Sequence, residues 1–307
     1  MESVTIVLSF IGPMPAYIYE CIRQINVVYK NTIYLIYDQI SEELLKKLEE
    51  YNVSYIPYDT VRSKRFDDRF KQTDFEYIPG LKGRELLFLR SYERFYLLDE
   101  LIKQKELTSI WFMEIDNLLY VNPSCFLPVL KQKGCVYSYH RPNHFNTGIF
   151  YVNDSATLQP ILTSLDTFSN GFRSEMIALH SHYNKTKTDG LFPLVIPTPD
   201  ADELFWKDYS LFDHHLFDGA ILGIYYFGLD TYHTQGKIIT KTPTHNSMNT
   251  RFLNIWNYGE MTWKKNSDGL FFPYFITKKN DCLPIVNLHI HSKDLLSASS
   301  YTDKIGF

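Results

Sequence analysis

The first 57 residues alternate between apolar runs and helical patterns, and this alternation limits the possible folds more than any other feature of the chain. Residues 4–10, 32–37 and 53–57 are runs with the length and composition of buried strands. Residues 17–29 and 41–51, which lie between them, have the apolar spacing of amphipathic helices. This order predicts a parallel sheet with helices on both faces and with ligands bound beyond the carboxyl ends of the strands.

The rest of the chain continues this pattern less regularly. Residues 62–83 are polar and rich in charge, which predicts a loop over the ligand site. Residues 85–103 have the spacing of one long helix. Further strands are predicted at residues 109–113, 135–139, 148–152 and 283–290, and a further helix at residues 157–168. We therefore expect one α/β domain over residues 1–307 with a mostly parallel central sheet.

Composition excludes several classes of partner. The net charge of -4 gives no general attraction to nucleic acid, whose binding needs clustered Lys and Arg. No apolar run approaches the roughly 18 residues of a membrane span, and Glu2 stands where a signal peptide needs a basic residue. The four cysteines show no CxxC spacing, which favours a reducing compartment. A cytoplasmic protein without a membrane span is expected.

Two carboxylates follow the apolar strand predicted at residues 109–113. Glu114 and Asp116 are two positions apart, so the alternation of a strand places both on one face. Carboxylate oxygens are the ligands that Mg²⁺ and Mn²⁺ prefer, and such an ion would neutralise a bound diphosphate. A solvated acidic turn is the alternative, because acid-x-acid triplets are frequent by chance.

A second polar group ends the last apolar run. His289, His291 and Lys293 share one face of a strand. Imidazoles can complete a metal site and an ammonium can bind phosphate, although an exposed polar edge would give the same pattern. The presence of this group together with Glu114 and Asp116 favours a metal and phosphate site.

These motifs resemble those of glycosyltransferases of the GT-A fold, in particular a group found in microbes and large viruses. The matching residues are Glu114-Ile115-Asp116-Asn117, then Leu216-Phe217-Asp218-Gly219-Ala220, then Leu288-His289-Ile290-His291-Ser292-Lys293. The resemblance implies a Rossmann-like, mostly parallel central sheet. It also implies that residues 1–125 bind a nucleotide sugar and that residues 126–307 bind the acceptor and carry the closing motif.

The resemblance further implies a UDP- or GDP-sugar donor, held by its diphosphate on Mn²⁺ or Mg²⁺, and a glycan or other hydroxyl acceptor. Asp116 is the expected principal metal ligand, with Glu114 supporting the metal or contacting the sugar and ribose. His291 is expected to complete the metal shell, with His289 as its rival. Lys293 is expected to bind phosphate.

The nucleoside is expected at the ends of the first two strands. Phe10 and Gly12 stand at the end of the first strand, and Asp38 follows the second. Phe10 could stack on the base while Asp38 accepts a hydrogen bond from base or ribose, although Asp38 could equally cap a helix.

Three further residues are expected to contact the donor. Arg84 and Arg90 precede the acidic motif and suit a diphosphate, although a solvated helix face would explain them as well. Asn146, in the segment His144-Phe145-Asn146-Thr147-Gly148, resembles the Asn-x-Gly region that contacts the donor sugar, with a turn as the alternative.

An inverting transferase needs a carboxylate that deprotonates the acceptor hydroxyl. Asp218 is the expected base and Asp213 the second choice. Two other functions stay open on the sequence alone. A metal-dependent phosphoesterase could use the same carboxylates and histidines, and a non-catalytic sugar-binding protein could retain the same scaffold.

Overall fold

The central feature of the part of the chain that the structure describes is a seven-stranded sheet. The computed structural model describes residues 2–76, 86–141, 144–168, 174–186, 189–193, 209–228 and 259–303. Within these residues the strands are β1 (Thr5–Pro13), β2 (Ile33–Gln39), β3 (Val53–Pro57), β4 (Ile110–Glu114), β5 (Asn117–Leu119), β6 (Cys135–Arg141), β7 (His144–Val152), β8 (Gly190–Leu191), β9 (Gly259–Lys265), β10 (Phe271–Thr277), β11 (Cys282–Pro284) and β12 (Asn287–His289).

Helices connect and cover the strands. They are α1 (Ile18–Val28), α2 (Glu42–Leu48), α3 (Lys64–Arg69), α4 (Leu87–Lys105), α5 (Leu127–Lys133), α6 (Ser155–Thr167), α7 (Glu175–Thr186), α8 (Leu222–Phe227) and α9 (Leu295–Ala298). None of the helices in the described ranges is both long and apolar enough to cross a membrane.

The central sheet is mostly parallel, as the alternation of elements predicts. Strand β1 pairs in parallel with β2 and β4, β2 with β3, and β6 with β8. Strand β7 runs antiparallel to both β4 and β6. The amino end of β7 therefore lies at the same sheet edge as the carboxyl ends of β1, β2 and β4.

The core lies on both faces of this sheet because successive residues of a buried strand point to opposite sides. On one face, Phe112 of β4 stacks on Phe150 at 4.8 Å between ring centroids, and Phe95 of α4 stacks on Phe150 at 4.9 Å. On the other face, Trp111 packs against Phe192 at 5.1 Å. An apolar run buried on both sides is the pattern expected for a strand of a largely parallel sheet.

Two sequence predictions of local structure were wrong. The loop predicted at residues 62–83 contains helix α3, because its aromatic residues Phe66 and Phe70 are buried against Tyr92 and Tyr96 of α4. The single strand predicted at residues 283–290 is two short strands in different sheets.

Those two short strands occupy different parts of the molecule. Strand β11 joins the antiparallel β9-β10-β11 sheet, whereas β12 pairs with β5. In the β12–β5 pair, His289 lies opposite Asn117, and Ile290 N donates to Asp116 O at 2.8 Å. This pairing brings the end of the chain to the acidic motif.

Candidate active site

A cavity of about 440 Å³ opens at the edge of the sheet where β1, β2 and β4 end. Its lining comes from the end of β1, from β2, from the first turns of α4, from the residues after β4 and from the start of β7. The start of α7, the last residue of β12 and residues just after β12 complete it. Ten of the residues expected from the sequence line this cavity: Phe10, Gly12, Asp38, Arg90, Glu114, Asp116, Asn146, His289, His291 and Lys293.

Glu114, Asp116 and His289 form the candidate metal site. One ligand atom from each residue lies within 4.8 Å of the others. His289 Nε2 is 3.2 Å from Asp116 Oδ1 and 3.4 Å from Glu114 Oε2. Two carboxylate oxygens and an imidazole nitrogen are a donor set that suits Mn²⁺, and Mg²⁺ would use the carboxylates. These residues therefore fit the divalent cation that the sequence predicts.

His289 and Lys293 both contact the Asp116 carboxylate, and these contacts shift the pKa values of the group. Burial opposes ionisation of Asp116, but the Lys293 ammonium and the His289 imidazole outweigh burial and hold the pKa of the Asp116 carboxyl well below its usual value. Burial also opposes protonation of His289, yet the carboxylates of Asp116 and Glu114 raise the pKa of its imidazole. Lys293 Nζ forms an ion pair with Asp116 Oδ2. The site thus gathers cationic groups around carboxylates that could bind a metal.

The structure places His289, rather than His291, beside both carboxylates. His291 lines the cavity with its ring centroid 4.4 Å from that of His289, but it is not part of the three-residue group. This geometry favours His289 over His291 as the metal ligand, and the choice between the two histidines stays a prediction. The reason is that β12 pairs with β5 only as far as His289, and this pairing sets which imidazole faces the end of β4.

Arg94 organises the cavity wall, although the sequence pattern assigns it no role in the site. Its buried guanidinium forms an ion pair with Glu114 and a hydrogen bond to Thr147 Oγ1, and its Nη2 is 3.3 Å from Glu175 Oε1. Arg94 is one helical turn beyond Arg90 on α4, which is the only sequence signal that could have pointed to it. Arg94 therefore holds one carboxylate of the candidate metal site in place.

Glu175 is a second residue that sequence reasoning missed. It begins α7, lines the cavity and is buried. Its Oε2 makes no hydrogen bond within the described structure, while its Oε1 accepts hydrogen bonds from Arg94 Nη2 and Thr147 Oγ1. Burial raises the pKa of the Glu175 carboxyl, and the Arg94 guanidinium only partly opposes this effect. No local motif marks this glutamate, so only the tertiary fold could reveal it.

The predicted nucleoside residues lie together at the β1 and β2 side of the cavity. Phe10, Gly12 and Asp38 all line it. Gly12 has φ of +114°, a backbone conformation that residues with a Cβ rarely adopt. The helix-cap alternative for Asp38 is not what the structure shows, because the Ser41 side chain caps α2 by accepting from Leu44 N.

Of the two arginines predicted to bind the diphosphate, the structure describes only Arg90. Arg84 lies outside the described residues. Arg90 lines the cavity, but its guanidinium pairs with Glu93 at 2.5 Å and lies over the Tyr58 ring, 5.7 Å from the centroid. A diphosphate would therefore compete with Glu93 for Arg90.

Asp218 and Asp213 are not among the described residues that line the cavity. Asp218 is 2% exposed, and both of its carboxylate oxygens accept hydrogen bonds from backbone N–H groups. Asp213 is exposed in a turn with φ of 49°. A general base must be within hydrogen-bond reach of the substrate proton. In the described structure neither carboxylate lines the cavity, and the expectation that Asp218 or Asp213 is the base stays a prediction.

Comparison with known proteins adds only weak likenesses. No protein-family model matches the chain, and no curated protein sequence matches it. The galactosyltransferase LgtC, solved with donor and acceptor sugar analogs, is similar over 65% of this chain and 78% of that one, with 12% identity and a TM-score of 0.42.

Two other solved structures have comparable likeness. Mouse xyloside xylosyltransferase 1 is similar over 70% of this chain and 94% of that one, with 11% identity and a TM-score of 0.40. The glycosyltransferase GlyE of Streptococcus pneumoniae is similar over 69% of this chain and 52% of that one, with 11% identity and a TM-score of 0.40.

Proposed function

We propose that this protein is a metal-dependent glycosyltransferase that moves a sugar from a nucleoside-diphosphate sugar to a hydroxyl group of a glycan or similar acceptor. One observation carries the proposal. Glu114, Asp116 and His289 meet in a single cavity at the carboxyl edge of a mostly parallel sheet, with Lys293 beside them. That combination suits a diphosphate held on a divalent cation.

The strand order supports an extended donor along this edge. Asp38 lies on β2, Phe10 lies on β1, Asp116 follows β4, and Asn146 lies on β7, so four neighbouring strands contribute in sequence. Strands are about 4.8 Å apart, so the row spans about 14 Å. We place the nucleoside at the β2 end, the diphosphate near β4 and the sugar at the β7 end.

Each part of this row has side chains suited to its ligand. At the nucleoside end, Phe10 offers an aromatic face and Asp38 a hydrogen-bond acceptor. Lys293 would leave Asp116 to pair with a phosphate oxygen. At the sugar end, Asn146 and Thr147 offer polar atoms to hydroxyl groups. Residues 1–125 would thus supply the nucleoside end, and residues 126–307 the sugar end and the acceptor.

When bound, Mn²⁺ or Mg²⁺ would neutralise negative charge on the departing diphosphate. Asp116, His289 and Glu114 would hold the ion, and Arg94 would hold Glu114 in position. With these roles, the Glu114 and Asp116 carboxylates would both bind the metal and would not serve as the base.

For an inverting reaction we propose Glu175 as the base, in place of Asp218. Asp38 lies at the nucleoside end, and Glu114 and Asp116 belong to the metal site. Glu175 has a buried oxygen without a hydrogen-bond partner in the described structure, and burial raises the pKa of its carboxyl. A carboxylate with a raised pKa is a stronger proton acceptor, which suits deprotonation of an acceptor hydroxyl.

The phosphoesterase alternative gains no support from the described residues. They contain one group of three potential metal ligands, whereas two-metal hydrolysis would need a second set close by.

The test is a thermal-shift screen of UDP- and GDP-sugars, each with and without Mn²⁺. A ligand that binds only the folded state raises the Tm, so the proposal predicts a shift with one nucleotide that requires the metal. Asp116→Asn should lose this shift, whereas Asp268→Asn, in an exposed turn outside the cavity, should keep it. Wild-type protein that shows no metal-dependent shift with any nucleotide sugar would disprove the proposal.

A further inference from the structure

Asp218 is buried and bonded in a way that the cavity does not explain. Its Oδ1 accepts from Ile221 N at 2.7 Å and from Leu222 N at 2.9 Å, at the start of α8. Its Oδ2 accepts from Gly223 N at 2.8 Å and from His289 N at 3.0 Å. Three of the four donors belong to the local turn, but the fourth is the backbone of a candidate metal ligand.

Buried side-chain amides strengthen the link between Asp218 and β12. Asn287 Oδ1 accepts from Asp218 N at 3.1 Å, and Asn287 Nδ2 donates to Asn117 Oδ1 at 3.0 Å. Asn117 Nδ2 in turn donates to Gly148 O at 3.2 Å. The segment that carries Asp218 is therefore tied to β5, β7 and β12, the strands that surround the metal site.

Two glycines pack closely against His289. A Cβ at Gly223 would lie 1.9 Å from His289 O, so the backbone of α8 packs directly against the His289 carbonyl. A Cβ at Gly148 would lie 2.7 Å from the His289 ring atoms Cε1 and Nδ1. The backbone and the ring of His289 are thus each in contact with a glycine.

We propose that Asp218 is a positioning residue, which holds His289 where its imidazole meets Glu114 and Asp116. This inference rests on the metal site of the proposed function. Asp218 acts through the main chain, because its Oδ2 bridges the start of α8 and the His289 N–H. Residues that orient a metal ligand typically change metal affinity by about 10–100-fold when they are altered.

The first test measures Mn²⁺ affinity in Asp218→Asn by electron paramagnetic resonance, with Mn²⁺ alone and with added UDP. An asparagine amide nitrogen in place of Oδ2 would face the N–H groups of Gly223 and His289, so the hydrogen bonds from both are lost. We expect affinity to fall about 10–100-fold. The matched control is Asp154→Asn, which alters another helix-capping aspartate, bonded to Thr157 N at 2.8 Å and outside the cavity.

A second variant removes only the critical hydrogen bond. A synthetic peptide of residues 282–307 can be ligated at Cys282, with an ester in place of the amide that supplies the His289 N–H. Asp218 and its three other bonds are unchanged in this full-length chain. We expect the same direction of change in Mn²⁺ affinity as in Asp218→Asn. Excess Mn²⁺ should restore kcat in both variants, because the ligand is displaced and not deleted.

The outcomes separate this inference from the proposed function. If the ester chain folds and binds Mn²⁺ as the wild type does, Asp218 has no positioning role, whatever Asp218→Asn shows. An ester chain that fails to fold would assign this bond to folding and would overturn the inference equally. Wild-type protein that binds no Mn²⁺, alone or with UDP, would instead overturn the proposed metal site itself.

Discussion

His289 Nε2 lies 3.2 Å from Asp116 Oδ1, although the two residues belong to motifs that are far apart in the sequence. The contact follows from the pairing of β12 with β5, in which His289 is opposite Asn117. A crystal structure with Mn²⁺ and the donor should therefore show both Asp116 and His289 about 2.0–2.6 Å from one ion. An ion bound to His291 in place of His289 would contradict this assignment.

Asp116→Asn should abolish metal-dependent turnover of the donor while the protein stays folded. The substitution removes a carboxylate that the metal needs, and it also leaves the Lys293 ammonium and the His289 imidazole without their common anionic partner. The measurement is kcat/KM over a range of Mn²⁺ concentrations, with circular dichroism as a check of folding. Wild-type kcat/KM at saturating Mn²⁺ would refute a metal-binding role for Asp116.

Glu175→Gln should lower the rate of transfer by about 10²–10⁴-fold, the usual effect of losing a general base. Calorimetric donor affinity should change little if Glu175 acts on the acceptor proton, because the groups assigned to nucleoside and diphosphate are intact. Asp213→Asn is the control, since this exposed aspartate does not line the cavity.

The stereochemistry of the product tests the same assignment independently. An inverting reaction gives a product whose anomeric configuration is opposite to that of the donor. If nuclear magnetic resonance shows retention, or if Glu175→Gln keeps the wild-type rate, the role of Glu175 as a base is wrong.

Arg94→Ala should lower the free energy of unfolding by about 3–5 kcal/mol, because it leaves the buried Glu175 without its cationic partner. Arg94 is 6% exposed, and its guanidinium contacts both Glu114 and Glu175. The double variant Arg94→Ala, Glu175→Gln should be more stable than Arg94→Ala alone, because the unpaired buried charge is gone. Urea denaturation of the four proteins measures this coupling, and strictly additive effects would show that the pair does not interact.

Local sequence patterns determined the secondary structure of this protein and the ends of strands at which polar residues stand. The alternation of apolar runs and amphipathic helices predicted the mostly parallel sheet, because side-chain periodicity decides which segments become strands and helices. The position of Glu114 and Asp116 after an apolar strand predicted that both would reach the carboxyl edge of the sheet. Both carboxylates do line the cavity at that edge.

The tertiary structure alone decided which groups face one another. Residues 283–290 carry one continuous apolar pattern, yet β11 and β12 join different sheets, and β12 places His289 beside Glu114 and Asp116. Asp218 has the sequence context of a catalytic residue, but the fold turns its carboxylate towards four backbone N–H groups. Periodicity gives the side of an element on which a residue lies. The partner across that side is set by long-range strand pairing and by the desolvation of buried charges, and neither is encoded in local spacing.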